Sequence, residues 1–187
     1  TPEIIQAISK FKNLRVLNLR STKITGEGLG ALATLNQLET LHLMENPLNA
    51  EGLRPLAKLP LTGFGFGNTP LELASAAPEL GRLFPKLKKL FLPPVFLPPG
   101  SLTEADFRAI GAAWPELAQI EAASLTKFED DTFDAIAEIF PNLETLILWK
   151  TKVSDRHIAG IAKHPKILYL RLGETGLTDL TLNSLTS

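Results

Sequence analysis

One short apolar pattern recurs along this chain and leaves it few folds to choose from. In residues 143–153 the apolar positions Leu143, Leu146 and Leu148 are spaced so that the last two alternate with Ile147 at the period of a β-strand, leucines to one side and Ile147 to the other. The same three positions recur as Leu14, Leu17, Leu19; Leu38, Leu41, Leu43; Leu61, Phe64, Phe66; Leu87, Leu90, Leu92; Leu117, Ile120, Ala122; and Ile167, Leu170, Leu172. These seven copies start at 14, 38, 61, 87, 117, 143 and 167, a spacing of 23 to 30 residues. An array of that period is a solenoid, in which each unit buries its apolar face only against its neighbours.

A solenoid is one elongated domain, so residues 1–187 are read as a single domain with no internal linker. The chain opens Thr1-Pro2-Glu3, an N-cap, a first-turn proline and an acid at the positive end of a helix, and Ile4, Ile5, Ile8 and Phe11 follow at helical spacing to cover the first unit. A chain that starts on a repeat's helix and stops soon after its seventh strand is expected to be a piece of something longer. The net charge of −1 gives no basic excess for a nucleic-acid partner, and no apolar run is long enough for membrane insertion. With no cysteines, disulfides and cysteine-based zinc sites are excluded.

The order L-x-x-L-x-L, turn, helix resembles the leucine-rich repeat family over almost the whole chain. Residues 24–33, containing Gly30-Ala31-Leu32-Ala33, are similar to the helix-containing, ribonuclease-inhibitor-like group and to the bacterial repeats named after a Gly-Ala-Leu-Ala sequence. The resemblance implies an α/β leucine-rich repeat solenoid of about seven repeats, a right-handed horseshoe with its parallel sheet on the concave face and helices on the convex one. It places Asn46 where such repeats bond neighbouring backbone with an asparagine side chain, with Thr22, Thr69, Thr151 and Thr175 standing in elsewhere. From the residues themselves, Thr25, Asn49, Thr103, Ser154 and Thr178 are expected helix N-caps, the first return helix is expected from about Gly26 to Leu35, and a short last one near 180–185. The resemblance also implies a protein-binding role for a monomeric scaffold, or the substrate-recognition part of a ubiquitin-ligase-type complex or bacterial effector.

Strands spaced about 4.8 Å apart opposite helices needing about 8–10 Å force the stack to bend, with the sheet inside. The outward residues of the strands then form columns. The central one reads Asn18, His42, Gly65, Phe91, Glu121, Ile147 and Arg171; a second reads Arg20, Met44, Gly67, Pro93, Ala123, Trp149 and Gly173; a third reads Val16, Thr40, Gly63, Lys89, Gln119, Thr145 and Tyr169. Aromatic and methionine side chains among charges are the composition of a protein-binding surface. The candidate binding residues are therefore Met44, Phe91, Ile147, Trp149, Tyr169, Arg171, His42 and Lys89; the first five are expected to stand clear of the core, the alternative for Trp149 being to fold back against Phe91, Pro93 or a further terminal repeat. Trp114, before Pro115, is read as core.

Three units depart from the pattern. In Leu61-Thr62-Gly63-Phe64-Gly65-Phe66-Gly67 the outward glycines either balance the bulky inward phenylalanines or leave a bare floor for a partner. After Leu92, the run 93–101 holds four prolines and should leave the sheet as a stiff rim, making Pro94, Val95, Phe96 and Pro98 either a second contact region or a loop packed on its neighbours. Glu129, Asp130 and Asp131 suit a helix amino terminus better than a metal or acid/base cluster. His42, His157 and His164 fall in different structural places and do not converge on a metal, and Ser154, Asp155 and His157 begin a helix rather than form a relay. No catalytic group and no cofactor is expected.

Overall fold

The computed structural model describes residues 2–67, 70–92, 103–123, 133–175 and 177. Seven strands, β1 (Val16–Asn18), β2 (Thr40–His42), β3 (Gly63–Gly65), β4 (Lys89–Leu92), β5 (Gln119–Ala123), β6 (Thr145–Trp149) and β7 (Tyr169–Arg171), form one parallel sheet in sequence order. Each strand pairs with the next in the register set by the leucine positions: Leu17, Leu41, Phe64, Leu90, Ile120, Leu146 and Leu170 align across the sheet. The inward side chains meet those of the return segments in one continuous apolar core running from Ile5 to Ile161. The fold is a leucine-rich repeat solenoid of the α/β type.

Return segments differ in kind. Helices α1 (Pro2–Ile8), α2 (Pro70–Leu83), α3 (Glu104–Ala113), α4 (Ile136–Ile139) and α5 (Asp155–Ile161) are α-helical. The first two repeats instead use 3-10 helices, Leu29–Thr34 and Glu51–Leu56, where a longer helix from Gly26 was expected. Gly26, Gly28 and Gly30 lower helical propensity in the first, and Pro55 removes a donor from the second. The Gly-Ala-Leu-Ala tetrapeptide lies in this tighter turn. Thr25 therefore caps nothing, whereas Asn49 accepts the Gly52 N–H at 3.0 Å. Thr103 forms a capping box with Asp106, and Ser154 forms one with His157, whose Nδ1 accepts the Ser154 N–H at 2.9 Å; this arrangement is a helix start and not a relay.

The asparagine expected to bond neighbouring backbone does so across two repeats. Asn46 is buried; its Oδ1 accepts the N–H of Ile24 at 2.9 Å, and its Nδ2 donates to the carbonyls of Leu19 at 2.7 Å and Leu43 at 3.1 Å. The threonines do less. Thr22, Thr151 and Thr175 each donate to the carbonyl three residues back, closing their own turn. Trp114 is core, as expected, and its Nε1 donates to the Phe84 carbonyl at 3.1 Å; His164 Nε2 lies 2.9 Å from the carbonyl of Phe140 in the equivalent place.

Two ends of the apolar pattern are less covered than expected. Helix α1 buries Ile5 but leaves Ile4 and Phe11 exposed, because it ends at Ile8 and Phe11 lies beyond its last turn. At β7, Leu170 occupies a core position yet is 38% exposed, since its strand pairs only with β6 among the described residues. Thr1, Thr69, Thr178, the acidic run 129–131, the expected last helix near 180–185 and the proline-rich rim, with Pro94, Val95, Phe96 and Pro98, lie outside the described residues.

Candidate functional site

Because side chains alternate across a strand, burying the leucines turns the intervening residues onto the opposite, concave face. The pairing bears out two of the columns: Asn18, His42, Gly65, Phe91, Glu121, Ile147 and Arg171 align strand to strand, as do Val16, Thr40, Gly63, Lys89, Gln119, Thr145 and Tyr169, and of the remaining column Ala123 aligns with Trp149. Tyr169 is 52% exposed, Lys89 and Arg171 are exposed, and His42, Phe91, Ile147 and Trp149 are half-buried.

Met44 is the exception. It is only 6% exposed, contrary to the sequence expectation, and the cause is the glycine strand. A Cβ built on Gly65 would come within 3.1 Å of Met44 Sδ and 3.2 Å of Phe91 Cβ, and one on Gly63 within 2.8 Å of Thr40 Oγ1. The floor that β3 leaves bare is thus covered by side chains leaning in from β2 and β4. The same space lets His42 and Phe91, two strands apart, bring their ring centroids to 4.4 Å. The bare-floor reading of the glycines fails, because the neighbouring side chains fill the space above them, while Phe64 and Phe66 lie buried on the inward side as the other reading has it.

Charge is distributed unevenly on this face. At its amino-terminal end the guanidinium of Arg20 lies 2.5 Å from Glu45, Ser21 also donates to that carboxylate, and Arg15 pairs with Glu39 at 3.5 Å. Burial alone would raise the Glu45 carboxyl, but the hydrogen bonds from Ser21 and Arg20 and the Arg20 charge hold it below its ordinary 4.5. His42 is held below its ordinary 6.5, by burial first and then by the Arg20 charge, so its neutral form is favoured. At the other end Trp149 lies over Gly173, whose Cβ would meet the indole at 2.9 Å. Lys150 Nζ sits 4.4 Å from the Trp149 ring centroid and the Arg171 guanidinium 5.7 Å from it, while Lys150 also pairs with Glu174 at 3.5 Å. The side chain of Glu121, midway, has no hydrogen bond or ion pair among the described residues.

Two exposed apolar residues on this face were not singled out from the sequence. Val16 is 58% exposed in the Tyr169 column, and Leu168 is 83% exposed at the position held by Glu144 and Lys88 in other repeats. Their signal was available in the repeat alignment, which places both positions outward. Elsewhere the surface offers open grooves, one of 390 Å³ beside Asn49, Glu51 and Glu79 and one of 330 Å³ lined by Pro78, Gly81 and Ala112, neither an enclosed pocket. Among the described residues no group of three His, Cys, Asp or Glu side chains could hold a metal ion, and no helix is long and apolar enough to cross a membrane.

A leucine-rich repeat family model matches residues 12–33 and 35–57, over the first two units. Solved structures extend the likeness along the chain. TLR13 in its complex with ssRNA13 is 20% identical with a TM-score of 0.55, the match covering 91% of this chain and 24% of that one. Internalin C2 from Listeria monocytogenes str. 4b F2365 is 21% identical with a TM-score of 0.51, covering 96% of this chain and 80% of that one. A second internalin from the same strain is 15% identical with a TM-score of 0.48; the match covers 97% of this chain but only 54% of that one, so the chain spans about half of its length. The comparison with curated proteins found no match. The family model thus covers the first two repeats, and the solenoid along the rest of the described sheet is the fold of leucine-rich repeat proteins.

Proposed function

We propose that this chain is a non-enzymatic binding module that holds a partner protein on its concave face, through Phe91, Ile147, Trp149, Tyr169 and Arg171, with His42 and Lys89 at the margin and Met44 acting from beneath. Leucine-rich repeat proteins generally mediate protein–protein interaction. The observation that carries the reading here is the row of partly exposed apolar and aromatic side chains, Phe91, Ile147, Trp149 and Tyr169, on a face whose opposite side already holds the whole core. Such a row is costly to leave in water and is the kind of surface on which binding energy concentrates.

A protein partner fits better than the RNA found with TLR13. The net charge is −1, so the chain has no basic excess, and among the described residues Arg15, Arg20, Arg54, Arg108, Lys150 and Arg156 already have carboxylate partners that a phosphate backbone would have to displace. The test is a pull-down from lysate of the source cells, comparing the wild type with a Trp149→Ala, Phe91→Ala double variant shown to be folded by circular dichroism. Proteins retained by the wild type and lost by the variant support the concave site. Equal recovery by both removes it, and nuclease-sensitive recovery would turn the partner into a ribonucleoprotein.

A further inference from the structure

We propose that the occupant of the concave face is an α-helix lying across the strands, carrying a basic and an acidic residue seven positions apart with an apolar residue between them. This rests on the concave reading above and specifies its partner.

The argument starts from Glu121. It is half-buried in the central column, with Phe91 on the strand before and Ile147 on the strand after, both half-buried and apolar. Lys89, the cation placed diagonally on β4, makes no ion pair with it, and Glu144 at the sheet margin adds a like charge. Because Glu121 is only half-buried, its carboxylate is open to water in the free protein. A partner that covers Phe91 and Ile147 must remove that water, and the desolvated carboxylate then destabilises the complex unless a cation is supplied. One strand beyond Ile147 stands Arg171, whose guanidinium faces the Trp149 ring at 5.7 Å and has no carboxylate partner among the described residues. The column thus reads apolar, negative, apolar, positive along Phe91, Glu121, Ile147 and Arg171.

Spacing selects the occupant's backbone. Successive positions are one strand apart, about 4.8 Å, so Glu121 and Arg171 are about 9.6 Å apart. In an α-helix, residues three or four apart rise about 4.5–6 Å on one face and residues seven apart about 10.5 Å, which matches both intervals. An extended strand repeats on one face about every 6.8 Å and matches neither. The occupant therefore sets apolar residues over Phe91 and Ile147, a Lys or Arg over Glu121 and an Asp or Glu over Arg171.

The probes are alanine-based peptides of about 16 residues, side-chain-bridged to hold them helical: one with Leu, Lys, Leu and Glu at i−4, i, i+4 and i+7, a Lys-only and a Glu-only version of its charged pair, and one with the charges four apart. Binding is read from Trp149 fluorescence, because Trp114, the other tryptophan, is fully buried. The mixed-charge peptide should bind at least about tenfold more tightly than the others, and Glu121→Lys should weaken it about tenfold while improving the Glu-only version. Equal binding by all four, or binding indifferent to Glu121→Lys and Arg171→Glu yet lost in Phe91→Ala, overturns the charge pattern while the concave site stands. Binding indifferent to Phe91→Ala and Ile147→Ala, each of which keeps the Trp149 reporter, removes the concave site as well. If no peptide binds, the helical occupant is overturned, and the pull-down remains the separate measure of the face.

Discussion

Among single residues, Asn46 joins more backbone than any other side chain described, and its weight in stability should show it. Replacing it by alanine strands the Ile24 N–H inside the protein and takes a donor from the Leu19 and Leu43 carbonyls, whereas removing the Thr151 hydroxyl opens one turn. We expect Asn46→Ala to cost about 2–4 kcal/mol and Thr151→Ala about 1 kcal/mol in urea unfolding; equal costs would mean that the bridge between repeats adds nothing. His42 gives a pH signature. Its folded-state value is depressed, so at high pH both states hold it neutral, and as pH falls through 6.5 the unfolded chain takes up the proton first. The urea midpoint should therefore decline below pH 6.5 and level off once the folded state is protonated too, and His42→Asn should flatten this component of the profile. The face on which His42 lies was legible from strand alternation alone. Its contact with Phe91 was not, because that contact depends on Gly65 offering no Cβ between them.

At the scale of elements, the strands were readable because each carries a period-two pattern anchored by large apolar residues, and all seven pair as the leucines dictate. The return segments were less so. Whether a short polar connection closes as α or 3-10 depends on a few glycines and on how much chain the repeat has to spare, and both act more weakly than burial. Glycine also decides how closely the return segments approach. Within α3, a Cβ on Gly111 would lie 2.6 Å from the Ile139 carbonyl oxygen, a backbone atom that cannot turn aside, while one on Gly30 would meet Pro55 Cβ at an ordinary 3.5 Å. Gly111→Ala should thus destabilise by about 1–3 kcal/mol through overpacking, and Gly30→Ala should be neutral or stabilise by up to about 1 kcal/mol. Thermal unfolding of the two variants side by side checks the packing of return segments directly; a neutral Gly111→Ala would show that they can move apart.

For the whole molecule, a solenoid distributes stability by position, because each unit is supported only by its neighbours. Leu90 lies between paired strands on both sides and is fully buried, whereas Leu170 holds the equivalent position in β7 and is 38% exposed. Leu90→Ala should cost about 2–5 kcal/mol and Leu170→Ala less than about 1 kcal/mol, although the repeat pattern treats them as the same residue; similar losses in denaturant unfolding would mean that β7 is covered in solution. The repeat fixes which side a residue faces, and the neighbours fix how far it stands out, so the fold was readable from the sequence and the relief of its surface only in part. Gly65 carries this furthest. The place a side chain occupies in the chain and the place it occupies on the surface come apart there, since Met44 fills a site that alignment assigns to another strand. A single codon change from glycine to serine would expel Met44, part His42 from Phe91 and redraw three neighbouring surface positions at once, giving this scaffold a short evolutionary route from one partner to another without touching its core.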